Sequence, residues 1–271
     1  MVGEAVSRIA IVIPARYAST RFPGKPLAIL GGKSILSRVY SNALEAASGL
    51  DNIEVMVATD DERIADHCVE RDMTFVMTSP DCHTGSDRVI EAANRMSEKP
   101  SFVINMQGDA PFTPADFVRA IIDEHLRDQG PDIVTPVTRM TWEQLDILRE
   151  SKKTTPFSGT TAILDPNQNA LWFSKNIIPA MRKEDALRKQ NYTLSPVYRH
   201  IGLYGYKWDA LQIYKDLPPS HYEELEGLEQ LRALENGLTI RAVVVDYAGR
   251  PSMSGIDSPE DLTRAEKLLN G

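Results

Sequence analysis

The chain has 271 residues, a formal net charge of −8, 42% hydrophobic and 25% charged residues, which fits a globular protein with a sizeable core. The acidic balance argues against a nucleic-acid binder, which needs a basic face, but not against a nucleotide held by local cations. No apolar run approaches the ~20 residues of a membrane span, and no basic-then-apolar leader pattern opens the chain, so a cytoplasmic location with no membrane partner is expected. Two cysteines, Cys68 and Cys82, stand outside any CxxC or Cys/His cluster. They exclude a disulfide scaffold and a structural zinc site, and both are read as inert.

In chain order, Ile9 to Ile13 is a short buried strand, followed by a Gly/Pro-rich loop over 14–33 and an amphipathic helix over 34–48. Strands are expected at 53–57, 73–77, 102–106 and 132–137, with helices at 61–72, 86–98 and 114–128 between them. This alternation predicts an α/β fold with a mostly parallel sheet and helices on both faces. The second half differs. Residues 160–173 and 198–206 read as longer strands carrying Trp172, Phe173, Tyr198, Tyr204 and Tyr206, and the polar stretch 181–196 as a long excursion or mobile segment near a dimer contact. One helix is expected over 222–236 with Gly237 as its stop, then a strand at Ile240 to Val245. The last helix opens with Ser258 as N-cap, Pro259 first and Asp261 third. No repeat or linker divides the chain, so residues 1–271 are read as one domain.

Open parallel sheets bind ligands beyond the carboxyl ends of their strands. The loop Pro14-Ala-Arg-Tyr-Ala-Ser-Thr-Arg-Phe-Pro-Gly-Lys-Pro-Leu27 lies there and holds Arg16, Arg21 and Lys25 with no acid among them. Two guanidinium forks and a mobile ammonium suit a triphosphate, although GxxxxGK[ST] is absent and a solvated basic loop would look the same. Asn105-Met-Gln-Gly-Asp109 closes a strand. Its carboxylate either binds Mg²⁺ or caps the next turn, and Gly108 lets a substrate approach the backbone. Asp257, in Ser254-Gly-Ile-Asp257, is either a second magnesium ligand or a helix-dipole acid. Cys82-His-Thr-Gly-Ser-Asp-Arg88 offers base- or ribose-reading groups, or an N-cap by Thr84 or Ser86. No G-x-S-x-G or other protein nucleophile is evident.

Taken in order, IPARYASTRFPGKPL, VATDDERIA, MTSPDCHTGSDR, NMQGD, RHIGLYGY, LEQLRALENG and GIDSPEDL closely resemble the 3-deoxy-manno-octulosonate (Kdo) cytidylyltransferase (CMP-Kdo synthetase) family, across roughly Ile9 to Lys267. The resemblance implies a Rossmann-like nucleotidyltransferase with an inserted sugar-binding and dimerisation region over about 155–215, working as a homodimer. It implies transfer of CMP from CTP to the anomeric hydroxyl of Kdo, with release of pyrophosphate and Mg²⁺ as cofactor. The nucleotide would meet Pro14, Ala15, Arg16, Ser19, Arg21, Lys25, Thr59, Asp60, Thr78, Ser79, Thr84, Ser86 and Arg88. Asp109 and Asp257 would hold Mg²⁺. The catalytic set would be Arg16, Arg21, Lys25, Asp109 and Asp257, with Arg21 and Lys25 stabilising the leaving pyrophosphate. Gln107, Lys175, His200, Tyr204, Glu229 and Gln230 would lie at the sugar acid.

Three positions depart from the family pattern. QGDEP reads Gln107-Gly-Asp-Ala-Pro111, a lysine is replaced by Thr161, and FSR reads Phe173-Ser-Lys175. All three touch charge, and an arginine-to-lysine change loses a bidentate carboxylate grip. The same transfer to a related acid such as 8-amino-Kdo is therefore weighed beside compensated drift. Two further readings are a non-catalytic nucleotide-binding relative, against which the intact Arg21, Lys25, Asp109 and Asp257 argue, and a glycosyltransferase with Asp109 in a metal motif, against which the triphosphate-holding loop argues.

Overall fold

The computed structural model describes residues 7–19, 21–82, 84–253 and 255–270. Thr20, His83 and Ser254, each part of a motif above, lie outside the described residues.

The strands are β1 (Ile9–Pro14), β2 (Ile29–Leu30), β3 (Lys33–Ser34), β4 (Ile53–Thr59), β5 (Phe75–Met77), β6 (Phe102–Asn105), β7 (Ile133–Thr141), β8 (Thr161–Leu164), β9 (Ala170–Ser174), β10 (Leu194–His200), β11 (Tyr204–Lys207) and β12 (Ile240–Val245). The helices are α1 (Ile35–Ala47), α2 (Glu62–Glu70), α3 (Gly85–Asn94), α4 (Ala115–Arg127), α5 (Trp142–Ser151), α6 (Glu184–Gln190), α7 (Trp208–Asp216), α8 (His221–Glu226), α9 (Gln230–Glu235) and α10 (Pro259–Asn270).

One sheet runs β5-β4-β1-β6-β11-β7-β10-β8-β9, with β12 beside β7. The β5, β4, β1 and β6 ladders are parallel, as is β12 on β7, whereas β11 runs antiparallel between β6 and β7. Along β1, Ile9, Ile11 and Ile13 face one apolar layer with Leu36, Val39, Phe117 and Ile121. Ala10 and Val12 face the other, with Ala92, Leu211 and Leu231. A strand buried on both faces cannot show polar alternation, which is why it reads as a continuous apolar run. In register, Pro14 pairs with Ala58 and Val12 with Asn105, so β1, β4 and β6 end at one edge of the sheet.

The helix starts follow capping chemistry. Ser34 accepts from the Ser37 amide at 3.0 Å, and Thr84 and Asp87 form a reciprocal box at the start of α3. Ser258 accepts from the Asp261 amide at 3.2 Å while Asp261 accepts from the Ser258 amide at 3.1 Å.

Several expectations of the second half are corrected. The helix expected over 222–236 is two, because Gly227 takes a left-handed φ of 62° between α8 and α9. The strand expected over 198–206 also splits. β10 pairs with β7 and β8, and after the break at 201–203 the chain enters β11 beside β6. Residues 160–173 form the β8–β9 hairpin, whose turn is held by Asp165 accepting from the Asn167 and Asn169 amides at 2.8 Å. The stretch 181–196 contains α6 and opens β10 at Leu194.

Candidate active site

The loop after β1 is held from both ends. The Ala15 amide donates to Ala58 O at 2.9 Å and the Gly24 amide to Tyr17 O at 2.9 Å. Gly24 then turns with φ 72° into a 3-10 turn over Lys25–Leu27. The loop borders a cleft of about 450 Å³, lined among others by Arg16, Ser19, Arg21, Lys25, Thr84, Arg88, Gln107, Asp109, Glu229 and Asp257, and also by Pro14 and Ala15. Twelve of the residues singled out from the sequence thus share one cavity. Among the described residues, exposed Arg16 and Arg21 make no ion pair and are open to an anion.

Lys25 Nζ donates to Asp109 Oδ2 at 2.6 Å and to Asp257 Oδ1 at 3.0 Å. Burial alone would lower the lysine's pKa, but the Asp109 and Asp257 carboxylates override it and hold it above its ordinary value. The Ile256 amide donates to Asp109 O at 2.9 Å, which fastens the two acid-bearing loops together. Gly108 is required where β1 and β6 end: a Cβ there would stand 2.6 Å from Pro14 O. Among the described residues no group of three or more His, Cys, Asp or Glu side chains forms a metal cage, so a cation here would have two carboxylates.

The segments expected to read cytosine and ribose divide. Thr84 and Arg88 line the cleft; Thr59, Asp60, Thr78, Ser79 and Ser86 do not. Arg88 is buried, donating to Thr78 Oγ1 at 2.5 Å and pairing with Asp60 Oδ2 at 3.0 Å. Thr59 Oγ1 accepts from the Asp61 amide at 3.2 Å, and Ser79 forms a turn with Asp81. Asp60 and Thr78 therefore act on the cleft through Arg88. Cys82 borders the cleft, but its thiol donates to Glu91 at 3.0 Å, and burial and that carboxylate push its pKa up to about 11. It is no nucleophile at neutral pH.

Of the residues expected at the sugar acid, His200 and Tyr204 lie along an aromatic row. His200 meets Phe173 at 4.9 Å and Tyr204 at 5.4 Å between ring centroids; Tyr204, Tyr206 and Tyr214 follow at 6.0 and 5.9 Å. Tyr214 Oη donates to Glu229 O at 3.0 Å, and Glu229 lines the cleft beside Gln107. Burial, then the Lys175 charge, lowers His200 to about 3, so its ring is neutral. Thr135 Oγ1 donates to Leu203 O at 2.8 Å, which makes His200 Nε2 the donor in its 2.9 Å contact with Thr135. Nδ1 is left as an acceptor. Gln230 is buried, and its Nε2 has no partner among the described residues. Lys175 is fixed by its backbone: its amide donates to Glu226 at 2.8 Å and its carbonyl accepts from Lys152 Nζ at 2.5 Å. Neither it nor His200, Tyr204 or Gln230 lines the cleft itself.

Two features escaped the sequence reading. Asn105, which pairs in register with Tyr204, buries an Oδ1 with no partner among the described residues. Lys152 donates to the carbonyls of Pro156, Ser158, Gly159 and Lys175. Asn105 was visible as the polar end of an apolar strand; nothing local marks Lys152.

The cytidylyltransferase family model matches residues 10–240. A 3-deoxy-manno-octulosonate cytidylyltransferase of Maricaulis maris is 42% identical over 261 residues, covering 96% of both chains. One of Bacteroides thetaiotaomicron is 41% identical, covering 95% of this chain and 96% of the other. A solved CMP:2-keto-3-deoxy-manno-octonic acid synthetase complexed with CTP superposes with a TM-score of 0.80 at 31% identity, over 97% of this chain and 99% of that one. A cytidylyltransferase of Leptospira borgpetersenii, 15% identical with a TM-score of 0.59 over 97% of this chain and 87% of that one, shares the fold. By sequence over nearly its full length, by fold and by its ordered motifs, the chain belongs to the 3-deoxy-manno-octulosonate cytidylyltransferase family.

Proposed function

We propose that this protein transfers CMP from CTP to the anomeric hydroxyl of Kdo and releases pyrophosphate. The observation that carries this reading is the meeting, in one cleft, of a three-cation loop and two carboxylates at the carboxyl edge of a parallel sheet. The names of the relatives and the CTP bound to the solved neighbour support it. In the reaction the sugar hydroxyl oxygen bonds to the α-phosphorus, the bond from that phosphorus to the α–β bridging oxygen breaks so that pyrophosphate leaves with that oxygen, and the hydroxyl proton passes to water. Arg16 and Arg21 hold the triphosphate, and Lys25 offsets charge growing on the pyrophosphate. Arg88 reads the nucleoside. Glu229, Gln230, His200 and Tyr204 orient the sugar acid, and Lys175 faces its carboxylate as a point charge.

Magnesium is part of this proposal. Oxygens of Asp109 and Asp257 converge on a single ammonium nitrogen at 2.6 and 3.0 Å, so the two carboxylates can share one cation. Two carboxylates completed by phosphate oxygens and water is a donor set that suits magnesium. When bound, it would supply Lewis acidity toward the α-phosphate and the attacking hydroxyl. No helix among the described residues is long and apolar enough to cross a membrane; a cytoplasmic location is part of the proposal. A homodimer through the 155–215 region completes the reading, supported by Phe157, Leu171 and Tyr192, large apolar side chains exposed there.

The test is pyrophosphate release from CTP and Mg²⁺ with Kdo, run beside 8-amino-Kdo and sialic acid. Release with Kdo that is lost in Asp109→Ala is the expected result. Near-normal turnover in that variant at saturating Mg²⁺ refutes the assignment, and release only with another acid reassigns the acceptor.

A further inference from the structure

We propose that Lys25 is a built-in substitute cation: it occupies the position between Asp109 and Asp257 in the nucleotide-free enzyme, and a metal enters well only with the triphosphate that draws the lysine away. The proposal rests on the metal reading above and adds an order to it.

Asp109 and Asp257 reach Lys25 from 84 and 232 positions away in the chain, and both bonds end on the same nitrogen. The backbone bond from Ile256 to Asp109 keeps the two loops together, so the carboxylates face each other whether or not a cation is between them. Like charges at that distance repel and demand a counter-charge. Lys25 supplies one, with only 13% of its side chain exposed. A divalent ion cannot take the same oxygens while the ammonium stays, because the two cations would stand within contact distance.

The lysine can leave without disturbing the loop. Its backbone is set by Gly24 and the 3-10 turn, while its four-carbon stem is flexible. What the cleft itself does not offer is a polyanion to draw the lysine off this pair: its other charged lining groups are the cations Arg16, Arg21 and Arg88 and the acid Glu229. A triphosphate provides that anion and a bare metal ion does not. Nucleotide arrival therefore vacates the carboxylates and carries Lys25 to the phosphates in one movement.

The test measures Mn²⁺ binding by the full chain, by electron paramagnetic resonance, with and without CTP and without sugar. Without nucleotide, Lys25→Ala is expected to bind Mn²⁺ about tenfold more tightly than wild type or more, and with CTP the gap should close. Lys25→Arg, which keeps the charge, should stay as weak as wild type. Arg16→Ala removes a charge from the same cleft without touching either carboxylate, and should change nucleotide-free affinity by less than about threefold. Thermal melting gives a second readout: Lys25→Ala melts lower than wild type in chelator and regains the loss in Mn²⁺. Equal nucleotide-free affinity in Lys25→Ala and wild type, with tight binding in CTP, overturns the displacement and leaves the metal assignment standing. No Mn²⁺ binding by either protein, with or without CTP, overturns both.

Discussion

Arg88 is the residue whose replacement separates a nucleotide contact from a structural one. Its side chain is 5% exposed and faces Asp60, 23% exposed, at 3.0 Å, with Thr78 accepting a second bond at 2.5 Å. Removing one partner of a buried ion pair costs about 3–5 kcal/mol because the other charge is stranded. Water reaches Asp60 in part, so the cost of Arg88→Met should fall at or just below the bottom of that range, at about 2–3 kcal/mol. For a chain of this size that lowers Tm by roughly 5–10 °C. Asp60→Asn in the same background removes the stranded charge and should recover about half of the loss. Thermal and denaturant unfolding of the four proteins of the cycle gives the coupling directly. The kinetic arm is independent: Arg88→Met should raise KM for CTP, while Asp60→Asn, which keeps the guanidinium at the cleft wall, should raise it much less. A stability loss under about 0.5 kcal/mol in Arg88→Met, or a double variant no more stable than the single one, would refute the pairing argument.

Gly108→Ala should lower kcat by about tenfold or more with the fold intact, because its Cβ would stand 2.6 Å from Pro14 O and force apart the loops bearing Arg16 and Asp109; activity within about twofold of wild type would contradict this close approach. Lys175→Met should raise KM for the sugar acid about tenfold and leave KM for CTP unchanged, as read from initial rates. Glu184 is held down to about 2 from its ordinary 4.5, first by the Arg149 fork at 2.8 and 2.7 Å and then by Arg188. A depressed carboxylate contributes stability above its unfolded value and loses it as pH falls through the folded one. The α5–α6 contact should therefore loosen between pH 4.5 and about 2, seen as proteolysis after α6, and Glu184→Gln should remove that pH dependence.

The first half of the fold was legible because parallel strands buried on both faces write themselves as apolar runs, and because Ser34 and Thr84 mark helix starts chemically. The second half was not, for particular reasons. Leu225 and Leu228 continue a helical stripe across Gly227, so the break is backbone conformation and not pattern. The passage from β10 to β11 is a change of partner strand, which no local periodicity records. α5 does carry a local signal, since Thr141 and Gln144 form a capping box before Leu145 and Leu148. In the site, residue types at strand ends pointed to phosphate and cation chemistry. That Lys25, Asp109 and Asp257 meet at one nitrogen spans most of the chain and is a tertiary fact. The resemblance brought them together; spacing could not.

The three charge departures also look different once each has its surroundings. Thr161 is fully buried, its hydroxyl donating to Asn176 O at 2.7 Å and accepting from the Ile178 amide at 3.1 Å, so it anchors the segment that carries Lys175. Lys152 anchors the same segment through the Lys175 carbonyl, and it places an ammonium near the strand where the family's lysine is missing. Ala110 is buried in the turn after Asp109, its amide donating to Gln107 O at 3.2 Å, and a glutamate there would have to bring its charge out of the core. Two of the three changes are thus absorbed by internal hydrogen bonding or packing. Neither residue lines the cleft. At Lys175 a charged side chain remains, on a fixed backbone and near enough to His200 for its charge to lower that ring's pKa. Acceptor choice should accordingly respond to Lys175→Arg alone. Kdo kcat/KM that rises with Lys175→Arg, and does not rise further on adding Thr161→Lys, is the pattern this arrangement requires.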